Sequence, residues 1–272
     1  MLITSFQNPR VKYLRSLHLR KYRRREGRFL VEGIRLVEEA LACGSAVETL
    51  VYAPDLLVSE RAQALVEQVE PGRRLTLASE VFANLSARDT PQGIIALVRI
   101  EDTPLSAIPV LDDLFVVVAY RLQNPGNLGA IIRTADAAGA TAVIVVEPST
   151  DLYDPQTVRA TMGSLFALPI VRLADHASLT AWYAAVRVAG LPLLVVASSA
   201  HGETVHFDAV YDRPLALLIG SERQGLPQAA RDQADIAVRL PMAGRTTSLN
   251  AAAAAAALIY EIVCQRQASK PR

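Results

Sequence analysis

Three polar loops, each following an apolar run, hold the side chains of this chain whose types and spacing suit chemistry. The first reads Gln123-Asn124-Pro125-Gly126-Asn127-Leu128-Gly129-Ala130-Ile131-Ile132-Arg133. Asn-Pro-Gly-Asn is a tight-turn sequence, and the helix expected after it presents its first N–H groups to whatever lies in front. Arg133 follows about two turns into that helix, beside Ile131, Ile132 and Ala135, and an arginine buried there requires a carboxylate or a phosphate. The second loop reads Gly220-Ser221-Glu222-Arg223-Gln224-Gly225-Leu226-Pro227. Its two glycines let backbone approach a ligand closely, and Glu222 between them is the expected partner of Arg133. It has neither the GK[ST] ending of a phosphate loop nor the G-x-G-x-x-G of a dinucleotide turn. The third, Leu240–Asn250, sets Gly244, Ser248 and Asn250 before Ala251–Ala257, a run with high helix propensity and almost no side-chain bulk. Ser248 or Asn250 is its expected N-cap. Taken singly, each loop is equally well read as a turn, a strand end or a capped surface helix.

Such loops act together only on a scaffold that ends its strands side by side. Strands are expected at Leu114–Ala119, Ala142–Val146, Ala167–Val171, Leu193–Ala197, Leu215–Ile219 and Ile236–Leu240, with helices near 128–138, 155–163, 177–189 and 249–266. This alternation predicts an α/β fold with a mostly parallel sheet, helices on both faces, and ligands at the carboxyl ends of the strands. Upstream, residues 8–25 read as one basic helix with Val11, Leu14, Leu17 and Leu19 as a partial apolar stripe. A short strand at Phe29–Val31, a helix carrying Ile34, Val37, Ala40 and Leu41, strands at Val47–Tyr52, Arg73–Leu77 and Ile94–Ile100, and a helix at 55–70 make a smaller α/β unit. The polar, proline-bearing stretch from Glu101 to Pro109 separates the two, predicting domains at 1–104 and 105–272.

Half the residues are apolar and a fifth charged, as in a globular protein. No apolar run is long enough for a membrane span, and the first long feature is basic rather than apolar, which argues against a signal peptide. Cys43 and Cys264 match no metal-ligand spacing, so a reduced, cytoplasmic protein without metal is expected. The four histidines, His18, His176, His201 and His206, form no catalytic spacing either. Net charge is only +1, but its distribution is uneven: residues 1–28 hold nine Lys/Arg against Glu26 alone, leaving 19 basic and 26 acidic residues elsewhere. Such a head suits a polyanion, making Arg10, Lys12, Arg20, Lys21, Arg23, Arg24 and Arg25 candidate RNA-binding residues.

In order and spacing the three loops resemble the three motifs of the SpoU-type (TrmH-like) RNA ribose 2′-O-methyltransferases of the SPOUT superfamily. The resemblance is carried by Asn124, Gly126 and Arg133, then Gly220, Glu222 and Gly225, then Pro241, Gly244, Ser248, Leu249 and Asn250, across roughly residues 114–264. The first hundred residues are similar to the substrate-binding domain of many members, through Asn8-Pro9, Arg28–Gly33 and Glu38-Glu39-Ala40. Ala251 and Ala252 stand where members often carry Val-Ser, and Arg223 where many have a small residue.

The resemblance implies a trefoil-knotted C-terminal domain binding S-adenosylmethionine, with cofactor contacts at Ile219, Gly220, Ser221, Gly225, Leu240 and Leu249. It implies Arg133 as the catalytic arginine, Asn124 fixing its loop, Glu222 orienting Arg133, and Ser248 and Asn250 placing substrate or cofactor. It also implies a homodimer whose active sites draw on both subunits, and an RNA substrate, large-subunit rRNA favoured over tRNA. The rival readings are a catalytically silent RNA-binding homologue and a Rossmann-type enzyme; Asn124-Pro125-Gly126-Asn127 lacks the glycine pattern of the latter.

Overall fold

The computed structural model describes residues 2–268. By their internal contacts these form two compact units: one runs up to Glu101 and also takes in Asp151–Ala167, the other comprises Asp102–Thr150 and the residues from Leu168 onward. By sequence position the segment 151–167 lies in the expected C-terminal domain; by contact it belongs to the first unit.

The first unit is built on β1 (Leu2–Ile3), α1 (Pro9–Ser16), α2 (Arg20–Glu26), β2 (Arg28–Glu32), α3 (Ile34–Ala42), β3 (Val47–Tyr52), α4 (Glu60–Gln68), β4 (Arg74–Leu77), α5 (Ser79–Leu85) and β5 (Ile94–Arg99). Its five strands order β1-β4-β3-β5-β2, with β5 antiparallel to both neighbours. The continuous apolar run Ile94–Val98 is buried on both faces, which a central strand requires. The single basic helix expected over 8–25 is two helices. Arg23 causes the break: its Nη1 donates to the carbonyls of Leu17 (2.9 Å) and His18 (2.7 Å), occupying acceptors that a continuous helix would have used. The helix expected at 55–70 starts only at Glu60, where the Ser59 hydroxyl accepts the Ala62 N–H. The seven-residue α5 and the two-residue β1 are too short to give a period in the sequence.

The second unit opens with β6 (Phe115–Tyr120), α6 (Pro125–Ala137) and β7 (Ala142–Val146). After α7 (Pro155–Thr161) and α8 (Ser164–Ala167), which pack in the first unit, it continues through β8 (Ile170–Leu173), α9 (His176–Val188), β9 (Leu194–Ser198), β10 (Thr204–Val205), β11 (Leu215–Ile219), α10 (Gln228–Asp232), β12 (Ile236–Arg239) and α11 (Ala251–Ala268). All seven strands are parallel, in the order β10-β12-β9-β11-β6-β7-β8. β6, β7 and β11 are buried throughout, as their unbroken apolar sequences predict. The strand expected from Ala167 starts later, because Pro169 has no N–H for the ladder. Arg266 ties the end of α11 to the sheet, donating to the carbonyls of Asp113, Leu114, Tyr211 and Arg213. No helix among the described residues is long and apolar enough to cross a membrane.

Candidate active site

β6 and β11 are neighbours in register from Phe115 and Leu215 to Ala119 and Ile219, so the loops that follow them emerge together. β9 lies on the other side of β11, and β12 beside β9, which brings the start of the third loop to the same sheet edge. Asn124 caps α6, its Oδ1 accepting the Asn127 N–H at 3.1 Å, and Pro125 fills the first turn.

One side chain joins all three loops. Asn127, only 8% exposed, donates from Nδ2 to Glu222 Oε1 at 2.5 Å and accepts the Asn250 Nδ2–H on its Oδ1 at 3.0 Å. Asn250 in turn accepts the N–H groups of Ala252 (2.9 Å) and Ala253 (3.4 Å), so it, and not the exposed Ser248, caps α11. Sequence reading assigned Asn127 no role; its place on the inner side of the first helical turn was the available signal. Asn127→Ala leaves the Glu222 carboxylate and the Asn250 amide without this partner. It is expected to cost about 2 kcal/mol of stability, read by denaturant melts, and about a hundredfold in the rate of the methyl transfer that the resemblance implies, read by a transfer assay at saturating substrate.

The second loop closes on itself. Ser221 and Gly225 exchange backbone hydrogen bonds (3.2 and 2.9 Å), and Gly225 takes a φ of +64°. A Cβ on Gly220 would lie 2.2 Å from the Gly225 carbonyl carbon. Beside this turn opens a cavity of about 410 Å³. Ile219, Gly220, Ser221, Gly225, Leu240 and Leu249, the full set expected at the cofactor, all line it, as do Glu222 and Ser248. Ser198 at the end of β9, and Ser199 and His201 just after it, line it too; nothing but their position at a strand end marks them in the sequence. Small residues and strand-end backbone make this a surface on which main-chain groups can read a nucleoside.

A second cavity, of about 810 Å³, shares Ser221–Gln224 with the first and is bounded by Arg121, Gln123, Asn124, Pro148 and Asn250. Arg121 and Arg223, both exposed, give it a cationic rim suited to phosphate. Two expectations are corrected here. Arg133 is exposed rather than buried, because in α6 the buried stripe runs through Leu128, Ile131, Ile132 and Ala135, while Arg133 falls on the outer face with Ala137. Nor does Glu222 pair with Arg133: its carboxylate is taken by Asn127. Arg133 lines neither cavity.

In the basic head, Arg10, Lys12, Arg20, Lys21, Arg24 and Arg25 are exposed, with Arg25 paired to Glu26. Arg23 is 2% exposed and belongs to the fold, its Nε and Nη2 donating to Asp151 at 3.0 and 2.6 Å. It is withdrawn as an RNA contact. Two of the histidines are structural: His18 donates to the Leu85 carbonyl and His176 bonds the Tyr120 hydroxyl, each at 2.8 Å.

An all-parallel α/β sheet with a backbone-lined cavity at its strand ends, next to an arginine-rimmed one, defines an enzyme of the nucleotide-cofactor class. Residues 114–260 match the SpoU rRNA Methylase family, and residues 8–96 the MRM3-like substrate binding domain. The chain belongs to the SpoU rRNA Methylase family. It is 40% identical over 248 residues to the 23S rRNA (uridine(2479)-2′-O)-methyltransferase of Streptomyces viridochromogenes, covering 91% of this chain and 86% of that one. It is 31% identical over 261 residues to the 23S rRNA (guanosine(2553)-2′-O)-methyltransferase RlmP of Bacillus subtilis, covering 96% and 98%. The crystal structure of the SpoU methyltransferase AviRb from Streptomyces viridochromogenes in complex with the cofactor AdoMet superposes with a TM-score of 0.89 at 38% identity, covering 97% of this chain and 100% of that one.

Proposed function

We propose that this chain transfers a methyl group from S-adenosylmethionine to a ribose 2′-hydroxyl of 23S rRNA. The observation that carries the reading is the single cavity lined by all six expected cofactor-contacting residues, beside the Asn127 bond network that holds the three loops together. Bound there, S-adenosylmethionine supplies a methyl group already activated by its sulfonium. The chain's part is then to align the hydroxyl and to receive or disperse its proton. Backbone at Gly220, Leu240 and Leu249 holds the adenosyl moiety, and the Ser221–Gly225 turn fixes the wall between the two cavities. Arg121 and Arg223 hold phosphates beside the target ribose. A delocalised guanidinium gives up its proton too reluctantly to serve as a base, so Arg133 polarises the hydroxyl and holds phosphate. The test is transfer of labelled methyl groups to separated RNA fractions. Label in 23S rRNA supports the proposal, label in tRNA alone overturns the substrate, and no label with intact cofactor binding overturns catalysis.

The first unit, with its basic head, serves as the RNA substrate-binding domain, and the protein works in the cytoplasm with its rRNA. The trefoil knot of the family is proposed for the second unit, through the stretch 240–250 that reaches the Gly220 turn before α11. A homodimer is proposed through α11. Ala253, Ala257, Tyr260 and Cys264 recur at helical spacing on its exposed face, with Phe207 and Val210 exposed in the turn that α11 packs against. Arg133 then serves the site of the other subunit, consistent with its position outside both cavities. Tyr260→Asp removes apolar area and adds a charge to this face. It is expected to convert a dimer into a 29.4 kDa monomer in light scattering, with methyl transfer lost in parallel; an unchanged dimer mass would remove α11 from the interface.

A further inference from the structure

A separate cavity of about 280 Å³ lies within the first unit. Leu30 of β2, Ile95 of β5, Leu36 of α3 and Val158 of α7 make its apolar walls, and Arg88 and Arg159 stand at its margin. Its carboxylates are already engaged. Glu32 accepts the Ser86 hydroxyl and the Ala87 N–H, the latter at 2.8 Å. Asp154 accepts the Gln156 N–H at 2.9 Å and lies 3.7 Å from Arg23. By contrast, the guanidinium groups of Arg88 and Arg159 have no hydrogen-bonding or ion-pairing partner among the described residues. The site therefore combines apolar walls with uncommitted positive charge. Its volume is near the lower limit of ligand pockets, about 300 Å³, so it admits a single ring system and not a helix.

We propose that this cavity binds one unpaired nucleotide of the RNA substrate. The base lies against Leu30, Leu36, Ile95 and Val158, and its phosphate meets Arg88 and Arg159. The proposal rests on RNA being the substrate. Unpaired bases splayed out of a fold are the part of an RNA that side chains read in detail, and guanidinium groups suit the accompanying phosphate. The seven lining residues that come from the N-terminal stretch, Leu30, Leu36, Arg88 and Ile95 among them, all fall in the part matching a substrate-binding domain. Asp151–Ala167 completes the cavity with Val158 and Arg159, which gives the packing of that segment in the first unit a consequence for binding.

Two single substitutions separate a pocket from a merely cationic surface. Ala87 is exposed and lines the cavity, so Ala87→Trp fills its mouth without changing charge or core packing. Arg88→Ala removes charge and leaves the space open. Binding of transcribed 23S rRNA is measured by filter retention over a salt series, with S-adenosylmethionine titrated calorimetrically on the same preparations. Each substitution is expected to weaken RNA binding about tenfold with cofactor affinity unchanged, and Arg88→Ala alone is expected to lower the salt slope, by about one. Weaker binding by Arg88→Ala with Ala87→Trp unaffected overturns the pocket in favour of general phosphate attraction. Wild-type affinity in both overturns it outright. Wild-type protein that does not bind 23S rRNA at all fails the RNA reading itself, an outcome distinct from either.

Discussion

Gly220→Ala is expected to weaken S-adenosylmethionine binding by about a hundredfold or more in a protein that remains folded. The added Cβ would sit 2.2 Å from the Gly225 carbonyl carbon, 2.4 Å from the Leu226 nitrogen and 2.6 Å from the Gly225 oxygen. All three are backbone atoms, so no side-chain rotation relieves the clash. Room appears only if the Ser221–Gly225 turn opens and its two backbone hydrogen bonds break. Overpacking typically costs about 1–3 kcal/mol, and each lost bond about 1 kcal/mol. The disturbance falls on the wall of the 410 Å³ cavity, at the end of a strand whose own ladder to β6 and β9 is intact. Cofactor affinity should therefore fall about a hundredfold or more, since roughly 1.4 kcal/mol is a factor of ten, while the thermal midpoint drops by only several degrees. Calorimetric titration beside a circular-dichroism melt reads both. Wild-type affinity in the variant would move the cofactor away from this turn.

Arg133→Ala is expected to lower methyl transfer by about a thousandfold at saturating substrates, comparable to removing a group that stabilises developing charge. Stability and cofactor affinity should be unchanged, because the side chain is exposed and lines neither cavity. Arg133→Lys keeps the charge but not the planar fork. If the guanidinium holds phosphate and polarises the hydroxyl, the lysine variant recovers only a small part of the rate. If the group acts as a base, the pH–rate profile of the lysine variant moves to lower pH, because an ammonium gives up its proton more readily than a guanidinium. The proposed use of Arg133 by the other subunit makes a sharper demand. Mixing Arg133→Ala protein with Gly220→Ala protein, each inactive alone, should restore transfer, because each mixed dimer holds one site with both groups intact. Absence of any recovery, with subunit exchange demonstrated, would return Arg133 to the site of its own chain.

Much of the scaffold was legible in the sequence. Val47–Tyr52, Ala142–Val146 and Leu215–Ile219 are strands at their expected limits: the last two are unbroken apolar runs closed by Thr141 and Glu147 and by Pro214 and Gly220, and the first is rich in β-branched and aromatic residues. The six residues expected at the cofactor were named by the resemblance to the family, and all six line the 410 Å³ cavity. Arg133 could have been read better: judged by adjacent residues it looked buried, but helical spacing alone puts it on the outer face.

Residue order alone specifies the repertoire: a parallel α/β unit, three loops after its strands, a smaller α/β unit, and a basic head. Which polar groups meet is settled by the folded arrangement. Arg23 and its exposed neighbours in the head are alike by composition, yet Arg23 alone is buried, against Asp151, which lies 128 positions away. Asn127 is one asparagine of a turn until Glu222 and Asn250, 95 and 123 positions away, close on its amide. The segment 151–167 follows a strand of the second unit and packs in the first. Local propensity is a property of a few neighbouring residues. Partnership between buried polar groups is set by long-range closure, and no short spacing records it.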